Sequence, residues 1–566
     1  MGGPRILQDA LTTTTVTTRY AYTKGGRLAR LSYPDGGVAD YARDSLGRIS
    51  AVGVTRPGQA RQVVVTNVTY APFGPATGWT YGNGRQLQRP VDTDYRPQAV
   101  HDGAAGGLSL SYGYDPVGNI TELKTGSGAT VLARYGYDAL RRLTQTQDGP
   151  TSTPIETYAY DATGNRVSLT TANGTATYAY PADSHRLLAV DGESRNYDAA
   201  GNTLNIGGKA YSYNDANRMS QVEQGDAVLE SYTYNHGGER VLRVPSTGSA
   251  QLAMYDEDGL WLGSFDAAGG PLQQAVWLGS YPVALLGEPP FGVPELAYVQ
   301  PDHLGTPRVV FDSARTVAIW QWTNQGEVFG DQIPSSDPDG DGVELDLALR
   351  FPGQRVDLLS GLSYNYFRDY DPMTGRYVQS DPIGLNAGPS TYAYVSGNPL
   401  IFTDRSGLAC DQRGCWVTPT EQAYADVGNY GLYYQAACSG GDPYACRARE
   451  VAMNQGLLAA ITNTRLGNSI LEGIQGLSCE AANEEMYDRM DAIRVDLARA
   501  HAKALSAAGA TPDRPVRLDR WTDIGRFHEQ VFKRHGAGEV FGGRTYDKLF
   551  GRGGFGYDWC PSPSCK

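Results

Sequence analysis

The residue types with the clearest potential for chemistry lie near the end of the chain, between Arg514 and Lys566. His528 and His535 fall on one predicted amphipathic helix, where a spacing of seven places them on the same face but about 10 Å apart along the axis. Basic residues and a glycine loop follow this helix, and they include Arg544 and Lys548. This set suits metal-independent cleavage of RNA. One His would remove the ribose 2′-OH proton, while Arg and Lys would stabilise the charged phosphorane.

The competing interpretation is that the two His residues pack on a helix face and the basic residues are solvated. Other enzyme classes fit less well. A zinc HExxH site would need His at position 532, which is Phe532, and a zinc deaminase would need HxE and PCxxC. Cys560 and Cys565 instead have four residues between them, which suits a small disulfide loop or half a metal site. An ADP-ribosyltransferase stays open, and we expect no metal and no cofactor.

The segment that precedes these residues is predicted to be helical. Ala, Glu, Arg and Leu are frequent in residues 419–437, 443–462 and 480–507. We therefore expect a helical linker subdomain over 409–512 and a separate last region over 513–566, together a small α-rich or α+β part of the chain.

Composition changes sharply near residue 409. All seven cysteines lie beyond it: Cys410, Cys415, Cys438, Cys446, Cys479, Cys560 and Cys565. Of the 48 Lys and Arg and 61 Asp and Glu, 18 and 19 lie beyond residue 408, so residues 1–408 carry nearly all of the net charge of −13. An acidic body disfavours nucleic acid and anionic membranes as partners.

The first 290 residues repeat a degenerate unit, Tyr-x-Tyr-Asp-x-x-Gly-Asn/Arg followed by an alternating polar and apolar run. With 70 Gly, 32 Pro and 37 Tyr, the chain is rich in turn and strand residues. In each unit, Tyr-x-Tyr predicts a strand with both rings on one face, Asp starts a turn, and Gly closes it with a positive φ. The stacked hairpins would make a long sheet. Clear copies begin at Tyr112, Tyr135, Tyr158, Tyr197, Tyr211 and Tyr232.

These units resemble the YD repeats of the RHS family, and the following segment resembles the RHS-associated core. The resemblance covers about residues 18–408. It implies a mainly β protein, with a spiralling hairpin shell over 1–290 and a core over 291–408. The core motifs, in order, are Asp302–Arg308, Phe351–Gln354, Gly361–Asn365, Arg368–Pro372, Gly375–Arg376, Ser380–Leu385, Tyr392–Val395 and Asp404–Leu408.

The family resemblance also implies self-cleavage. The core of RHS proteins ends in two Asp-Pro-x-Gly boxes, which match the sequences that begin at Asp381 and Asp404. Two carboxyls would share one proton, as in an aspartyl protease, and the cut would fall between Leu408 and Ala409. Arg405 stands where the family has Pro, and it would either hold Asp404 ionised or misplace it. The alternative is that both boxes are turns that close the shell.

In this family the segment beyond the core is usually a toxin held inside the shell. The resemblance therefore implies a polymorphic toxin used against competing bacteria or host cells, with a cognate immunity protein and a secretion apparatus as partners. RNA is the candidate substrate of the last region, which is loosely similar to histidine-containing RNase toxins. The alternative function is a cell-surface or adhesion protein with an inert tail.

Export is expected without a cleaved signal peptide, since the N-terminus has no apolar core. No run of 18 apolar residues is present, so no membrane span is expected. Two further motifs are given structural roles. His303 is expected to form hydrogen bonds within the fold. The acidic stretch from Asp337 to Gly342 is expected to be a solvated loop rather than a calcium site, since position 348 lacks the closing Glu of an EF-hand.

Overall fold

The computed structural model describes most of the chain before residue 409. The described residues are 5–8, 13–72, 75–287 and 295–408. The chain divides into two units, and all of these residues belong to the first, Met1–Trp416. The predictions for 409–512 and 513–566, including the seven cysteines, lie outside the described residues.

The first part of this unit is a closed antiparallel barrel of seventeen strands, β3–β19, next to a two-stranded sheet of β1 and β2. Consecutive strands pair as hairpins. The bounds are β1 Arg5–Gln8, β2 Thr13–Val16, β3 Arg19–Tyr22, β4 Leu28–Ser32, β5 Val38–Arg43, β6 Ile49–Thr55, β7 Gln62–Tyr70, β8 Ala76–Tyr81, β9 Gln86–Gln88, β10 Ala99–His101, β11 Ser109–Tyr114, β12 Ile120–Thr125, β13 Val131–Tyr137, β14 Leu143–Asp148, β15 Pro154–Tyr160, β16 Arg166–Thr171, β17 Gly174–Ala179, β18 Ala189–Val190 and β19 Glu193–Ser194.

The second part is a 12-stranded antiparallel sheet, also in sequential order. It continues the repeats and extends into the core motifs that follow them. Its strands are β20 Asn205–Ile206, β21 Lys209–Tyr213, β22 Met219–Gln224, β23 Ala227–Tyr234, β24 Arg240–Pro245, β25 Gln251–Tyr255, β26 Trp261–Asp266, β27 Pro271–Leu278, β28 Tyr281–Gly287, β29 Ala297–Pro301, β30 Pro307–Asp312 and β31 Ala318–Gln321.

A four-stranded sheet with two short 3₁₀ turns completes the described part of the chain. Its strands are almost fully buried, and the residues discussed below lie on them or just after them. The bounds are β32 Arg355–Asp357, β33 Leu362–Asn365, β34 Arg368–Asp371 and β35 Arg376–Tyr377, with the 3₁₀ turns at Gly384–Ala387 and Val395–Gly397.

Each repeat folds locally around the carboxylate of its aspartate. In the unit after β15, Asp161 Oδ1 accepts hydrogen bonds from the amides of Thr163 and Asn165 at 2.9 and 3.0 Å, and Asn165 Nδ2 donates to Oδ2 at 2.9 Å. Gly164 closes the turn with a φ of 94°. The predicted hairpin unit is therefore confirmed, because the turn places the next strand antiparallel to the last.

Many neighbouring units are joined by the second tyrosine of the pair. The hydroxyl of Tyr114 donates to the carbonyl of Pro97, and that of Tyr137 donates to the carbonyl of Ile120. The same contact, to a carbonyl ten to twenty-one residues earlier, is made by Tyr70, Tyr180, Tyr213, Tyr234 and Tyr255. This hydroxyl ties each of these hairpins to the preceding one.

The first tyrosine of several units faces the interior and reaches a distant segment. Tyr135 donates to the carbonyl of Asn324 at 2.9 Å and Tyr211 to that of Ser360 at 3.1 Å. Aliphatic side chains from the barrel and from β25–β30 form one large apolar core around such rings. A second core of aromatic residues packs under the four-stranded sheet. These contacts join the repeats to the segment that follows them.

The observed fold agrees with the predicted mainly β architecture. Among the described residues, no helix has the length and apolar character needed to cross a membrane.

We expect Asp161→Ala to lower the free energy of unfolding of the chain by about 2 kcal/mol, since it removes four partly exposed hydrogen bonds at about 1 kcal/mol or less each. Urea unfolding followed by tryptophan fluorescence measures this change. Asp226→Ala is the control, because Asp226 lies exposed in the turn between β22 and β23. Equal effects of the two substitutions would contradict a stabilising role for the carboxylate of the repeat.

Candidate functional site

Asp381 follows the four-stranded sheet and begins a tight turn. The amide of Ile383 donates to Asp381 Oδ1 at 3.0 Å, and the amide of Gly384 donates to the Asp381 carbonyl at 2.9 Å. The amide of Asp381 itself donates to the carbonyl of Thr391. The side chain is 4 % exposed. The turn therefore holds this carboxyl group inside the protein.

Asp404 forms a turn of the same kind close to the last described residue. Its Oδ1 accepts hydrogen bonds from the amides of Gly407 at 2.8 Å and Leu408 at 3.0 Å. Gly407 has a φ of 72°, and a Cβ there would lie 2.4 Å from the carbonyl oxygen of Asn365. Only glycine fits this position. The carboxylate of Asp404 thus binds the backbone directly before the predicted cleavage point.

Arg368 brings the two aspartates together. It is the first residue of β34 and is 2 % exposed. Its Nη2 lies 2.7 Å from Asp381 Oδ2 and 3.3 Å from Asp404 Oδ2. Its Nε donates to the carbonyl of Gly407 at 2.5 Å. One guanidinium group therefore contacts both carboxyls and also orients the peptide that leads to Leu408.

Two further polar side chains complete this cluster. The hydroxyl of Tyr377 on β35 donates to Asp404 Oδ2 at 2.8 Å. Asn365 on β33 donates through Nδ2 to the carbonyl of Asp404 and to the Tyr377 oxygen, both at 2.7 Å. The guanidinium carbon of Arg368 lies 3.6 Å from the centre of the Tyr377 ring. Three adjacent strands therefore supply the groups that position Asp404.

The two carboxyls have different environments. Burial raises the pKa of Asp381 to about 7, Arg368 and the Ile383 amide oppose the rise, and the nearby Asp404 adds to it. Asp381 Oδ2 has no hydrogen-bond donor in suitable geometry, although Arg368 is close. Asp404, by contrast, accepts from Tyr377 and from two amides. Two nearby carboxyls in unequal surroundings are the arrangement that acid–base chemistry uses.

The structure brings the predicted residues Asp381, Asp404 and Leu408 into one cluster. Ala409, the residue after the expected cleavage point, lies outside the described residues. The same is true of His528, His535, Arg544 and Lys548, so their predicted roles stay predictions.

Arg405 does not pair with Asp404. It lines a separate pocket of about 470 Å³ that also contains Arg350 and Asp256. Burial lowers the pKa of Arg405. The backbone at this position packs against Gly353, where a Cβ would lie 2.1 Å from the Arg405 carbonyl oxygen. The replacement of proline thus leaves the Asp404 turn intact, and Arg368 is the arginine that contacts the carboxyl.

Sequence reasoning missed the roles of Arg368, Tyr377 and Asn365. Arg368 and Asn365 lie within core motifs, and Tyr377 directly follows one, but nothing in these motifs marks them as partners of an aspartate. A usable signal was the group of charged residues in the short strand Arg368–Asp371, because such residues are buried only with partners.

His303 has the structural role expected of it. Its ring nitrogens lie 3.1 Å from the Tyr112 hydroxyl and 2.7 Å from the Leu400 carbonyl. Burial lowers the pKa of this imidazole. His303 therefore joins β11 to the segment after the second 3₁₀ turn.

The acidic stretch near residue 340 also has a defined arrangement. The carboxylate oxygens of Asp337, Asp339 and Asp341 come within 4.8 Å of one another. Arg315 Nη1 lies 2.9 Å from Asp339 Oδ2 and 2.6 Å from Asp341 Oδ2. The guanidinium group of Arg315 thus supplies the positive charge for two of these carboxylates.

Comparison with known proteins agrees with this architecture. Residues 86–258 match the Teneurin YD-shell family. The chain is 41% identical over 108 residues to Double-stranded DNA deaminase toxin A of Burkholderia cenocepacia, which covers 19% of this chain and 7% of that protein. It is 30% identical over 270 residues to Toxin protein Tse5 of Pseudomonas aeruginosa, covering 43% of this chain and 19% of that protein.

A longer match is to Probable deoxyribonuclease RhsA of Dickeya dadantii, at 28% identity over 421 residues, 70% of this chain and 28% of the relative. The chain thus matches less than a third of the length of each of these relatives. Among solved structures, the crystal structure of TcdB2-TccC3 matches with a TM-score of 0.56 at 21% identity, over 70% of this chain and 22% of that one. The repeats, the core motifs and the fold thus resemble those of RHS/YD-repeat proteins.

Proposed function

We propose that residues before Ala409 form the shell of a polymorphic toxin that cuts its own chain between Leu408 and Ala409 and so releases an effector. The observation that carries the proposal is the pair Asp381 and Asp404, held by Arg368 beside the backbone of Leu408. Toxins among the relatives support this class of function.

The proposed reaction is hydrolysis of one peptide bond. A water molecule attacks the carbonyl carbon of Leu408, and the bond to the nitrogen of Ala409 breaks. The products are a new carboxylate at Leu408 and a new amino group at Ala409, so one water is consumed. No other reactant is needed.

The two carboxyls have complementary roles in this proposal. Asp381, whose pKa is raised to about 7, holds a proton and donates it toward the Leu408 carbonyl. Asp404 accepts the proton of the attacking water. Its hydrogen bonds to Gly407 and Leu408 also hold the chain in place. Arg368 keeps both carboxyls near the same peptide through its contacts with each.

The first test replaces each aspartate by asparagine in the full chain. Asn is nearly isosteric and keeps one oxygen that can accept the amide hydrogen bonds of the turn, so the fold is retained. We expect Asp381→Asn and Asp404→Asn each to slow release of a fragment beginning at Ala409 by about 10²–10⁴-fold. Cell-free synthesis followed by gel electrophoresis and N-terminal sequencing measures this release.

Asp266→Asn is the matched control for these variants. Asp266 accepts hydrogen bonds from the amides of Ala268 and Gly270 in a turn of the same type, far from Asp404 in sequence. This variant should cleave at the rate of the parent chain. Undiminished cleavage in Asp404→Asn would remove Asp404 from the reaction and leave both boxes as structural turns.

The second test is the pH dependence of the release rate. Asp381 is protonated below its pKa of about 7 and loses its proton above it. If the protonated form is required, the rate should fall about tenfold for each pH unit above 7. Fragment release is followed during cell-free synthesis buffered between pH 6 and 8.5. A rate that rises with pH over this range would assign Asp381 the role of base.

We propose that the effector cleaves RNA through residues 514–566. His528 and His535 would transfer protons, and Arg544 and Lys548 would stabilise the phosphorane. Action on DNA is the second candidate activity of the effector, because two relatives are named as a DNA deaminase toxin and a probable deoxyribonuclease.

Induction of the full chain in bacteria separates these classes. We expect growth arrest with decay of total RNA, and loss of both in His535→Ala. The control Asp226→Ala should behave like the parent chain. Arrest accompanied by DNA breaks or base changes while RNA stays intact would reject the RNase assignment and favour a DNA-acting effector. Absence of arrest from the parent chain would favour the adhesion function.

A toxin of this kind requires partners in the producing cell. We propose a cognate immunity protein that binds the released effector, and a secretion or delivery apparatus that carries the chain into the target cell.

A further inference from the structure

A second polar site lies between the barrel and the core segment, apart from Asp381 and Asp404. It is a small pocket of about 30 Å³. One wall comes from the hairpin of β15 and β16, and includes Tyr160 and Arg166. The other wall includes Arg376 on β35 and Ser390 in the following loop. Neither the proposed cleavage nor the repeat architecture uses these groups together.

Arg166 is buried in an unusual way. It is 7 % exposed, and its Nε has no hydrogen-bond partner. Its guanidinium carbon lies 4.7 Å from the ring centre of Tyr158 and 4.2 Å from that of Phe329. A Cβ on Gly375 would lie 2.4 Å from Arg166 Nη2, so glycine makes room for the guanidinium group. The aromatic rings fix the position of the cation but do not neutralise its charge.

The second cation of the pocket, Arg376, is also 7 % exposed. It donates to the Tyr180 hydroxyl at 2.7 Å and to the carbonyl of His185, which are both uncharged. Within the described ranges, neither Arg166 nor Arg376 forms an ion pair with a carboxylate, although Arg166, from farther away, opposes the rise in pKa that burial causes in Glu156 and in Asp331. Two buried guanidinium groups that form no ion pair are more favourable when an anion lies between them.

The remaining polar groups of the pocket are hydroxyls. The buried hydroxyl of Tyr160 has Arg166 as its polar neighbour and donates to no carbonyl. This departs from many other repeats, where the second tyrosine donates to a carbonyl of the preceding unit, as Tyr137 does. The Ser390 hydroxyl also lines the pocket. Guanidinium and hydroxyl donors around one space match a ligand that only accepts hydrogen bonds.

We propose that this pocket binds a small inorganic anion, such as phosphate or chloride, between Arg166 and Arg376. Its volume of about 30 Å³ leaves room for one small ion and excludes a nucleotide or a sugar. The anion joins the β15–β16 hairpin to the segment that carries Tyr377. It therefore stabilises the junction between repeats and core, whether or not the chain cleaves itself.

The test uses the full chain, with sodium phosphate or sodium chloride added at constant ionic strength maintained by bulky gluconate. Calorimetric titration and thermal unfolding are the two readouts. We expect one anion bound per chain and a saturable rise in the melting temperature. Arg166→Gln should weaken the affinity by about tenfold or more, because it removes a charge-assisted contact.

Two further variants keep the proposal open to refutation if Arg166→Gln fails to fold. Ser390→Asp places a carboxylate in the pocket, so it should abolish the anion response and raise the melting temperature in gluconate alone. Tyr160→Phe removes the hydroxyl beside Arg166 and should weaken binding while the fold is kept.

Arg142→Gln is the matched control, since Arg142 lies over the same Tyr160 ring at 4.7 Å but is paired with Asp138 at 2.6 Å and is not among the pocket residues. Its anion response should equal that of the parent chain. The proposal is overturned if no anion gives a saturable effect. It is also overturned if Ser390→Asp and Tyr160→Phe respond like the parent chain, or if all variants show the same unsaturable rise, which is a general salt effect.

Discussion

The hydrogen bonds that an aspartate makes to the amides two to four residues after it are the interaction on which this structure depends. In the repeats, as at Asp161, the carboxylate closes a turn and sends the chain back as the next strand. Because the sheets consist of consecutive hairpins, many of the strand pairings rest on such a turn, as at Asp44, Asp115 and Asp138. The tyrosine hydroxyl that reaches the preceding unit, as in Tyr137, then joins one hairpin to the next.

The candidate active site uses the same turn in a different environment. Asp381 and Asp404 bind following amides just as the repeat aspartates do. They differ because the four-stranded sheet buries both and places Arg368 within reach of each. Burial in turn raises the pKa of Asp381 to about 7. In the proposed self-cleavage, a turn of the scaffold type would supply the acid and the base, while its hydrogen bonds to the following amides stay the same.

Buried and half-buried arginines have three kinds of surroundings in this fold, which differ in the groups that contact the guanidinium. Arg142 pairs with the aspartate of its own turn and lies over a tyrosine ring. Arg368 is shared by two carboxyls. Arg166 lies over two aromatic rings with an unpartnered Nε. Burial of a guanidinium group costs least where a carboxylate is adjacent. Arg166 forms no ion pair, so it is the arginine for which we propose an external anion.

The amino-acid sequence by itself determined the hairpin units, the mainly β class and the two aspartate boxes, because the bonds that build them join residues at most a few positions apart. It also placed His303 in a structural role. Only the tertiary structure decided which residues surround Asp404. Arg368, Tyr377 and Asn365 lie 27 to 39 residues from it and reach it through the register of three short strands. The tertiary structure also decided where Arg405 lies. It lines a pocket that does not include Asp404, although the two residues are adjacent in the chain. Strand register and burial depend on packing across the whole unit, which no local pattern contains.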